Sequence, residues 1–254
     1  MSRRREQEDD AGRLVLGIQG VREAIAAHGS NLVRVLIETR TEQAPQLDAL
    51  ARFAGDRGVP VERTARASLD RLARGERHQG AIAEAPPLAL HPLEDLLIDE
   101  GASPLIVALD ELTDPQNFGA IVRSAVALGA TGIVWPEDKS APLSPAMARA
   151  SAGAVEHARL CRVPSLPRAL QEAAAAGFAV IGLDAAAGAN VDAVDLRGPL
   201  CLVVGSEGKG LRRSTRGACT ALAKLPMRGP IASLNASVAA AIALYEVVRQ
   251  RAEA

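Results

Sequence analysis

Two stretches, Leu202-Val-Val-Gly-Ser-Glu-Gly-Lys-Gly-Leu211 and Leu225-Pro-Met-Arg-Gly-Pro-Ile-Ala-Ser-Leu-Asn-Ala-Ser237, decide how this chain reads. In each, a turn rich in Gly or in Ser and Asn follows directly on a short apolar run. A short apolar run bounded by turn residues reads as a buried strand. Both turns are therefore expected at strand ends, which is where open parallel sheets bind ligands. Two such turns close in sequence point to one site.

Working outward, the chain from Leu105 alternates strand and helix patterns. Strands are expected at Leu105 to Leu109, Gly132 to Trp135, Leu160 to Val163, Ala179 to Leu183, Pro199 to Val204 and Ala221 to Leu225. Helices are expected at Phe118 to Leu128, Pro145 to Ala150, Pro167 to Ala176, Leu211 to Cys219 and Ser233 to Arg251. Such alternation implies an α/β fold with a parallel sheet covered on both faces. The last helix is apolar nearly all round, so it is expected to be buried between its own sheet and a second subunit. Residues 13–85 alternate on a smaller scale, with helices near Gly20 to Ala27, Pro45 to Asp56 and Ser68 to Ala73 and strands at Leu32 to Ile37 and around Val59. A further strand is expected after the turn that starts at Gly75. The Pro-rich segment from Pro86 to Pro104 brackets a weak helix and marks a linker. The expected layout is a disordered tail at 1–12, a small α/β domain at 13–85, a linker at 86–104 and a larger α/β domain at 105–254.

Composition narrows the function. With 254 residues, 48% of them apolar and 23% charged, the chain can bury a full core. It has one Trp, one Tyr and three Phe, so any RNA contact must rest on charge, shape and hydrogen bonds rather than rows of stacking aromatics. The net charge of −1 hides an asymmetry: from Gly198 onward there are eight Lys or Arg against three acids, and residues 13–85 carry eleven Arg, no Lys and nine acids. A guanidinium suits phosphate because its planar fork matches the oxygens, although ordinary solvated faces also carry such charges. Cys161, Cys201 and Cys219 lack metal-like spacing and lie in or near apolar runs, which reads as reduced thiols of a cytoplasmic protein without a metal. The opening Met1-Ser-Arg-Arg-Arg5 has no apolar stretch behind it, and no apolar run is long enough to span a bilayer. No membrane association is expected.

Three polar clusters could carry chemistry. In Asp114-Pro-Gln-Asn-Phe-Gly-Ala-Ile-Val-Arg123, Pro115 fixes a turn and Asn117 is placed to cap the next helix. Phe118, Ile121, Val122, Ala125 and Leu128 form that helix's apolar face, and Arg123 points away from it among small neighbours. Arg123 is thereby open to a phosphate or hydroxyl, or simply solvated. Gly205-Ser-Glu-Gly-Lys-Gly210 fails as a phosphate loop, because only two residues separate its first Gly from Gly-Lys and no Ser or Thr follows the Lys. It also lacks the dinucleotide G-x-G-x-x-G pattern, which disfavours an NAD-dependent dehydrogenase. What remains is a turn that lets backbone approach a ligand closely, with Glu207 positioned to orient a cation or hydroxyl. In the third cluster Ser233 and Asn235 put short polar groups at the mouth of the last helix, where Ser233 would also serve as a cap.

Taken together the three clusters resemble the three motifs of SPOUT-class RNA 2'-O-methyltransferases of the TrmH type. Leu16-Gly-Ile-Gln-Gly-Val-Arg22 and His78-Gln-Gly-Ala-Ile82 extend the resemblance to the substrate-binding domain of RlmB-like 23S rRNA (guanosine-2'-O)-methyltransferases. The likeness covers about residues 13–251. It implies a C-terminal parallel sheet with a trefoil knot, an exception to the rule against threaded chains, preceded by a small α/β RNA-binding domain. It also implies S-adenosylmethionine (S-adenosyl-L-methionine) bound in the knot by Gly205, Leu225, Leu234, Leu183, Asp184 and Met227, and a homodimer joined through the C-terminal helix. The reaction implied is methyl transfer to the ribose 2'-hydroxyl of a guanosine in 23S rRNA, with Arg123 as the central catalytic residue. Asn117, Glu207, Ser233 and Asn235 would orient Arg123, the ribose and the cofactor. The same chemistry on tRNA or on an rRNA adenosine, and a non-catalytic RNA-binding or assembly factor, stay as alternatives. Ala236 departs from the Val more usual in this family, a packing change that leaves the polar groups untouched.

Overall fold

The computed structural model describes residues 12–40, 43–98, 103–141, 143–231 and 233–253. The expected tail at 1–12 lies outside the described residues except for Gly12, and part of the expected linker, 99–102, lies outside them too. The chain forms two compact units. One consists of the residues up to Leu88 together with Ser151–His157, and the other of Ala89–Ala150 and Ala158–Ala254.

The first unit is a four-stranded sheet ordered β1 (Arg13–Leu16), β4 (Ala81–Ala85), β2 (Arg34–Glu38), β3 (Val61–Thr64). The β1–β4 and β2–β4 pairs are antiparallel, and β2–β3 is parallel. Alternation along the strands sends side chains to two separate cores. Val35, Ile37, Ala81 and Ala83 pack beneath α1 (Ile18–His28) and α2 (Pro45–Gly55). Leu36 and Ile82 pack beneath α3 (Arg66–Ala73). The β1 strand was not expected from the sequence, because its four residues are too few to show a period.

Ser151–His157 packs in this unit, far from its other members in sequence. The Glu156 side chain is fully buried there, accepting from the Arg13 guanidinium and lying 2.9 Å from Nε2 of His28. His157 Nε2 meets Glu23 at 2.9 Å. A buried carboxylate is tolerated only when paired, and these partners supply the pairing.

The second unit is built on a seven-stranded sheet, order β7 (Leu160–Val163), β6 (Gly132–Pro136), β5 (Leu105–Asp110), β10 (Leu200–Gly205), β8 (Ala179–Leu183), β11 (Ala221–Lys224), β9 (Ala189–Asn190). Every pairing in it is parallel. The central strands β5 and β10 are buried along their whole length, as expected when helices cover both faces. The helices are α4 (Leu93–Leu97), α5 (Pro115–Ala127), α6 (Pro145–Ala150), α7 (Leu166–Ala175), α8 (Arg213–Ala218) and α9 (Ala236–Ala252). Phe118 of α5 meets Trp135 of β6 edge to face, ring centroids 5.5 Å apart, which ties that helix to the sheet. No helix of the described residues is long and apolar enough to cross a membrane.

Cys161 and Cys201 are buried and Cys219 partly so, all as free thiols. Burial pushes the Cys161 and Cys219 thiols up to about 11, and the nearby carboxylates of Asp110 and Asp184 add to the effect on Cys219. The folded state therefore holds protons that the unfolded state releases first. Stability present below the ordinary thiol value of 9.0 should be lost as pH rises towards 11. We expect the urea midpoint to fall across that window, and to fall less in Cys161→Ala/Cys219→Ala; equal slopes in the two proteins would contradict this account.

Candidate active site

Both polar turns emerge at the carboxyl end of the parallel sheet. The first follows β10 and closes on itself, with Ser206 and Gly210 exchanging backbone hydrogen bonds of 3.2 and 2.9 Å. Gly205 has no alternative here: a Cβ at that position would stand 2.3 Å from the carbonyl carbon of Gly210. The second turn leaves β11 and returns past the ends of β8 and β10 to reach α5, since Asn235 Nδ2 donates to Asn117 Oδ1 at 2.9 Å and also to Glu207.

Between the turns lies a cavity of about 330 Å³, large enough for a small-molecule ligand. Gly205, Leu225, Leu234, Leu183, Asp184 and Met227 all line it, as do Glu207 and Ser233. Asn117, Asn235 and Arg123 do not. Asn117 is buried, 6% exposed, behind the Glu207 turn. Arg123 is exposed on α5, and no hydrogen bond or ion pair holds it among the described residues.

Two local expectations are corrected. Asn117 does not cap α5. Asp114 does, its carboxylate accepting from the N–H groups of Gln116 at 3.1 Å and Asn117 at 3.3 Å, while Pro115 occupies the first turn, where no N–H is needed. Nor does Ser233 cap the last helix, which begins at Ala236. Asn235 caps it through Oδ1, which accepts from Ser237 N at 2.8 Å and Val238 N at 3.4 Å. The amide of Asn235 can do both jobs because its oxygen accepts while its nitrogen donates.

The carboxylate of Asp184 is already engaged, by Arg216 at 2.5 Å and by Ala186 N at 2.8 Å, so it shapes the cavity wall more than it offers a free charge. Sequence reasoning missed a second such pair. Asp110, fully buried at the end of β5, accepts from Arg212 N at 2.8 Å and Arg212 Nε at 2.7 Å, and Arg212 also reaches Glu111 at 3.0 Å. The signal was present in an acid ending the apolar run Leu105-Ile-Val-Ala-Leu-Asp110. This pair fastens the far end of the Gly205–Gly210 turn to the neighbouring strand. Among the described residues no cluster of three or more His, Cys, Asp or Glu could hold a metal ion.

A parallel sheet whose chain turns back past its own carboxyl ends to frame a cavity is the architecture of the SPOUT, or α/β-knot, class. Residues 104–245 match the SpoU rRNA methylase family, and residues 14–90 match the RNA 2'-O ribose methyltransferase substrate-binding family. The chain belongs to the SpoU rRNA methylase family. It is 40% identical to the 23S rRNA (guanosine-2'-O-)-methyltransferase RlmB of Pseudomonas putida, over 93% of this chain and 96% of that one. An uncharacterized tRNA/rRNA methyltransferase of Mycolicibacterium gilvum is 40% identical over 97% of this chain and 79% of its own length. The crystal structure of the SpoU methyltransferase AviRb from Streptomyces viridochromogenes in complex with AdoMet matches with a TM-score of 0.76 and 29% identity, covering 99% of this chain and 94% of that one.

The double role of Asn235 makes a clear expectation. Asn235→Ala should lose about 0.5–2 kcal/mol of stability through the missing cap, whereas Asn235→Ser keeps a neutral accepting oxygen and should lose less. Thermal unfolding of the two variants, read by circular dichroism, checks the order; equal losses would mean that the cap contributes little.

Proposed function

We propose that this protein transfers a methyl group from S-adenosylmethionine to the ribose 2'-hydroxyl of a guanosine in 23S rRNA, acting in the cytoplasm as a homodimer. The observation that carries the reading is the cavity at the sheet's carboxyl end, closed by the link from Asn235 to Asn117 and Glu207. The Pseudomonas putida relative, whose name states this rRNA reaction, matches across both units, which favours rRNA over a tRNA target. The Mycolicibacterium gilvum relative carries a name that covers tRNA as well, so target choice is the part the experiment must decide.

The cavity suits the cofactor. Leu183, Leu225, Met227 and Leu234 offer apolar surface to its adenine and methionine carbons, and Gly205 lets backbone come close. When bound, S-adenosylmethionine supplies a methyl group already activated by a sulfonium, so the protein's task is to place a hydroxyl in line with it. Ser233 and Glu207, which line the cavity, orient the ribose; Asn235 holds Glu207 and is itself held by Asn117. The ribose hydroxyl must shed its proton as the new bond forms. A guanidinium offers donors and no acceptor, so the role of Arg123 is to stabilise the developing alkoxide or hold the adjacent phosphate rather than to accept the proton.

Arg123 does not line its own chain's cavity, and this bears on the dimer. Val238, Ile242 and Tyr245 of α9 are exposed beside Ala120 and Ser124 of α5, forming an apolar groove next to Arg123. A second copy packed on this surface would cover the groove and carry Arg123 to an interface.

The test is incorporation of labelled methyl from S-adenosylmethionine into separated large-subunit rRNA and tRNA, followed by nucleoside analysis. We expect label as 2'-O-methylguanosine in rRNA. Label confined to tRNA or to adenosine would overturn the target, and absence of cofactor binding would overturn the reading. Arg123→Ala should lower turnover by at least about a hundredfold, roughly 2.7 kcal/mol of transition-state stabilisation, with cofactor affinity nearly unchanged. Full activity in that variant would remove Arg123 from the mechanism.

A further inference from the structure

A polar cavity lies wholly inside the first unit. It is a cleft of about 650 Å³ between the start of α2, the start of α3 and the turn at residues 75–79. Three guanidiniums face it, from Arg40, Arg66 and Arg77, against the carboxylates of Asp70 and Glu76. Arg40 is held by Glu38 through hydrogen bonds of 3.1 and 2.9 Å. Arg66 reaches Glu38 and Asp70 only at 3.8 Å and stays 64% exposed. Arg77 is exposed and has no hydrogen-bond or ion-pair partner among the described residues. The cleft also receives the N-terminus of α2, whose cap residue is Ala44 and which has no side-chain cap. Its first N–H groups are left for a ligand or water.

The wall carrying Arg77 is built to hold its shape. His78 is buried, with Nε2 2.9 Å from Asp70 and Nδ1 accepting from Gly80 N at 3.0 Å. That second bond leaves Nδ1 as acceptor and Nε2 as the protonated nitrogen that donates to Asp70. Gln79 has φ +54°, a conformation a side chain rarely takes, and spends its Oε1 on the N–H of Ile18. Gly80 has φ +83°, a backbone conformation that side chains rarely adopt, and a Cβ there would also press on Glu38 Oε2 at 2.9 Å and Leu47 Cδ1 at 3.0 Å. Strain of this kind persists where surroundings enforce it, and it clusters at sites that bind.

We propose that this cleft is an RNA subsite that receives one nucleotide of a single-stranded or looped segment. Its phosphate lies between Arg66, Arg77 and the start of α2, and its base edge faces the amides of Gln43 and Gln46. The size falls within the range of small-molecule sites, about 300–1,000 Å³, so one nucleotide fits. Among the described residues no aromatic side chain lines the cleft. Base recognition therefore rests on hydrogen bonds and guanidinium contact, and single-stranded RNA exposes the edges that this needs. The inference rests on the RNA-methyltransferase reading above and places part of its substrate contact in the first unit.

The test uses the full chain, an in vitro transcript of 23S rRNA, and the variant Gln46→Glu/Arg77→Ala. A glutamate in the first turn of α2 favours the helix while repelling phosphate, so lost folding cannot imitate lost binding. We expect affinity for the transcript to fall about tenfold and the slope of log affinity against log salt to shrink by about 0.7 for each phosphate contact removed. S-adenosylmethionine affinity and thermal unfolding should match the native protein, and Arg77→Lys alone should retain most of the RNA affinity. Unchanged RNA affinity and slope in the double variant, with the native protein binding the transcript, would overturn the cleft and leave the methyltransferase reading intact. Native protein that binds no transcript would overturn the reading and the cleft together. Binding of free guanosine monophosphate that the double variant loses, with RNA affinity unmoved, would assign the cleft to a free nucleotide and overturn the RNA subsite.

Discussion

The site depends on one side chain that uses both ends of its amide. Oδ1 of Asn235 caps α9, and Nδ2 of the same residue binds Asn117 on α5 and Glu207 in the turn after β10. Three segments, the outer two 118 residues apart in sequence, are thereby fixed at one point. A helix start would be satisfied by any of several caps, among them Ser or Asp. Only Asn combines an accepting oxygen for the helix with two donors for the neighbours. An aspartate there would face Glu207 as a like charge, and a serine would not reach both partners.

Around this point two buried carboxylates near the cavity are paired before any ligand arrives. Asp110 is fully buried and would be costly alone, but Arg212 neutralises it and in doing so anchors the Gly205–Gly210 turn to β5. Asp184 and Arg216 form the equivalent pair on the β8 side. The cavity edge is therefore set by ion pairs whose geometry does not need the ligand, which is the preorganisation that methyl transfer between two positioned groups requires.

Strands and helices of the larger unit were legible because apolar runs bounded by turn residues alternate there with helical patterns in regular order. Leu160–Val163, Ala179–Leu183 and Pro145–Ala150 fall where the pattern put them. Elements held by tertiary contact were not: β9 has two residues, and β1 has four. Caps were misread for a related reason. Asp114 and Asn117 are both good caps, as are Ser233 and Asn235, and only the tertiary partner of each Asn shows which residue performs which task. The association of Ser151–His157 with the first unit was invisible, because Glu156 finds Arg13 and His28 across more than a hundred residues of chain.

Composition also overstated how much positive charge the first unit offers. Of the eleven arginines between residues 13 and 85, Arg13, Arg34, Arg40 and Arg63 lie within 2.9 Å of carboxylates. Arg22 and Arg57 stack on Phe53, at 4.5 and 3.7 Å from the ring centroid. An arginine already holding a carboxylate has little attraction left for phosphate, since the two anions compete for one fork. Counting charges therefore locates a basic segment without locating its binding surface. Arg52 and Arg74 are also exposed, with no carboxylate partner among the described residues, so what singles out Arg66 and Arg77 is their place in one cleft, beside a helix terminus whose own donors are uncapped. A surface assembled from a few unspent donors discriminates by shape, because only a ligand whose oxygens reach all of them at once gains the full interaction.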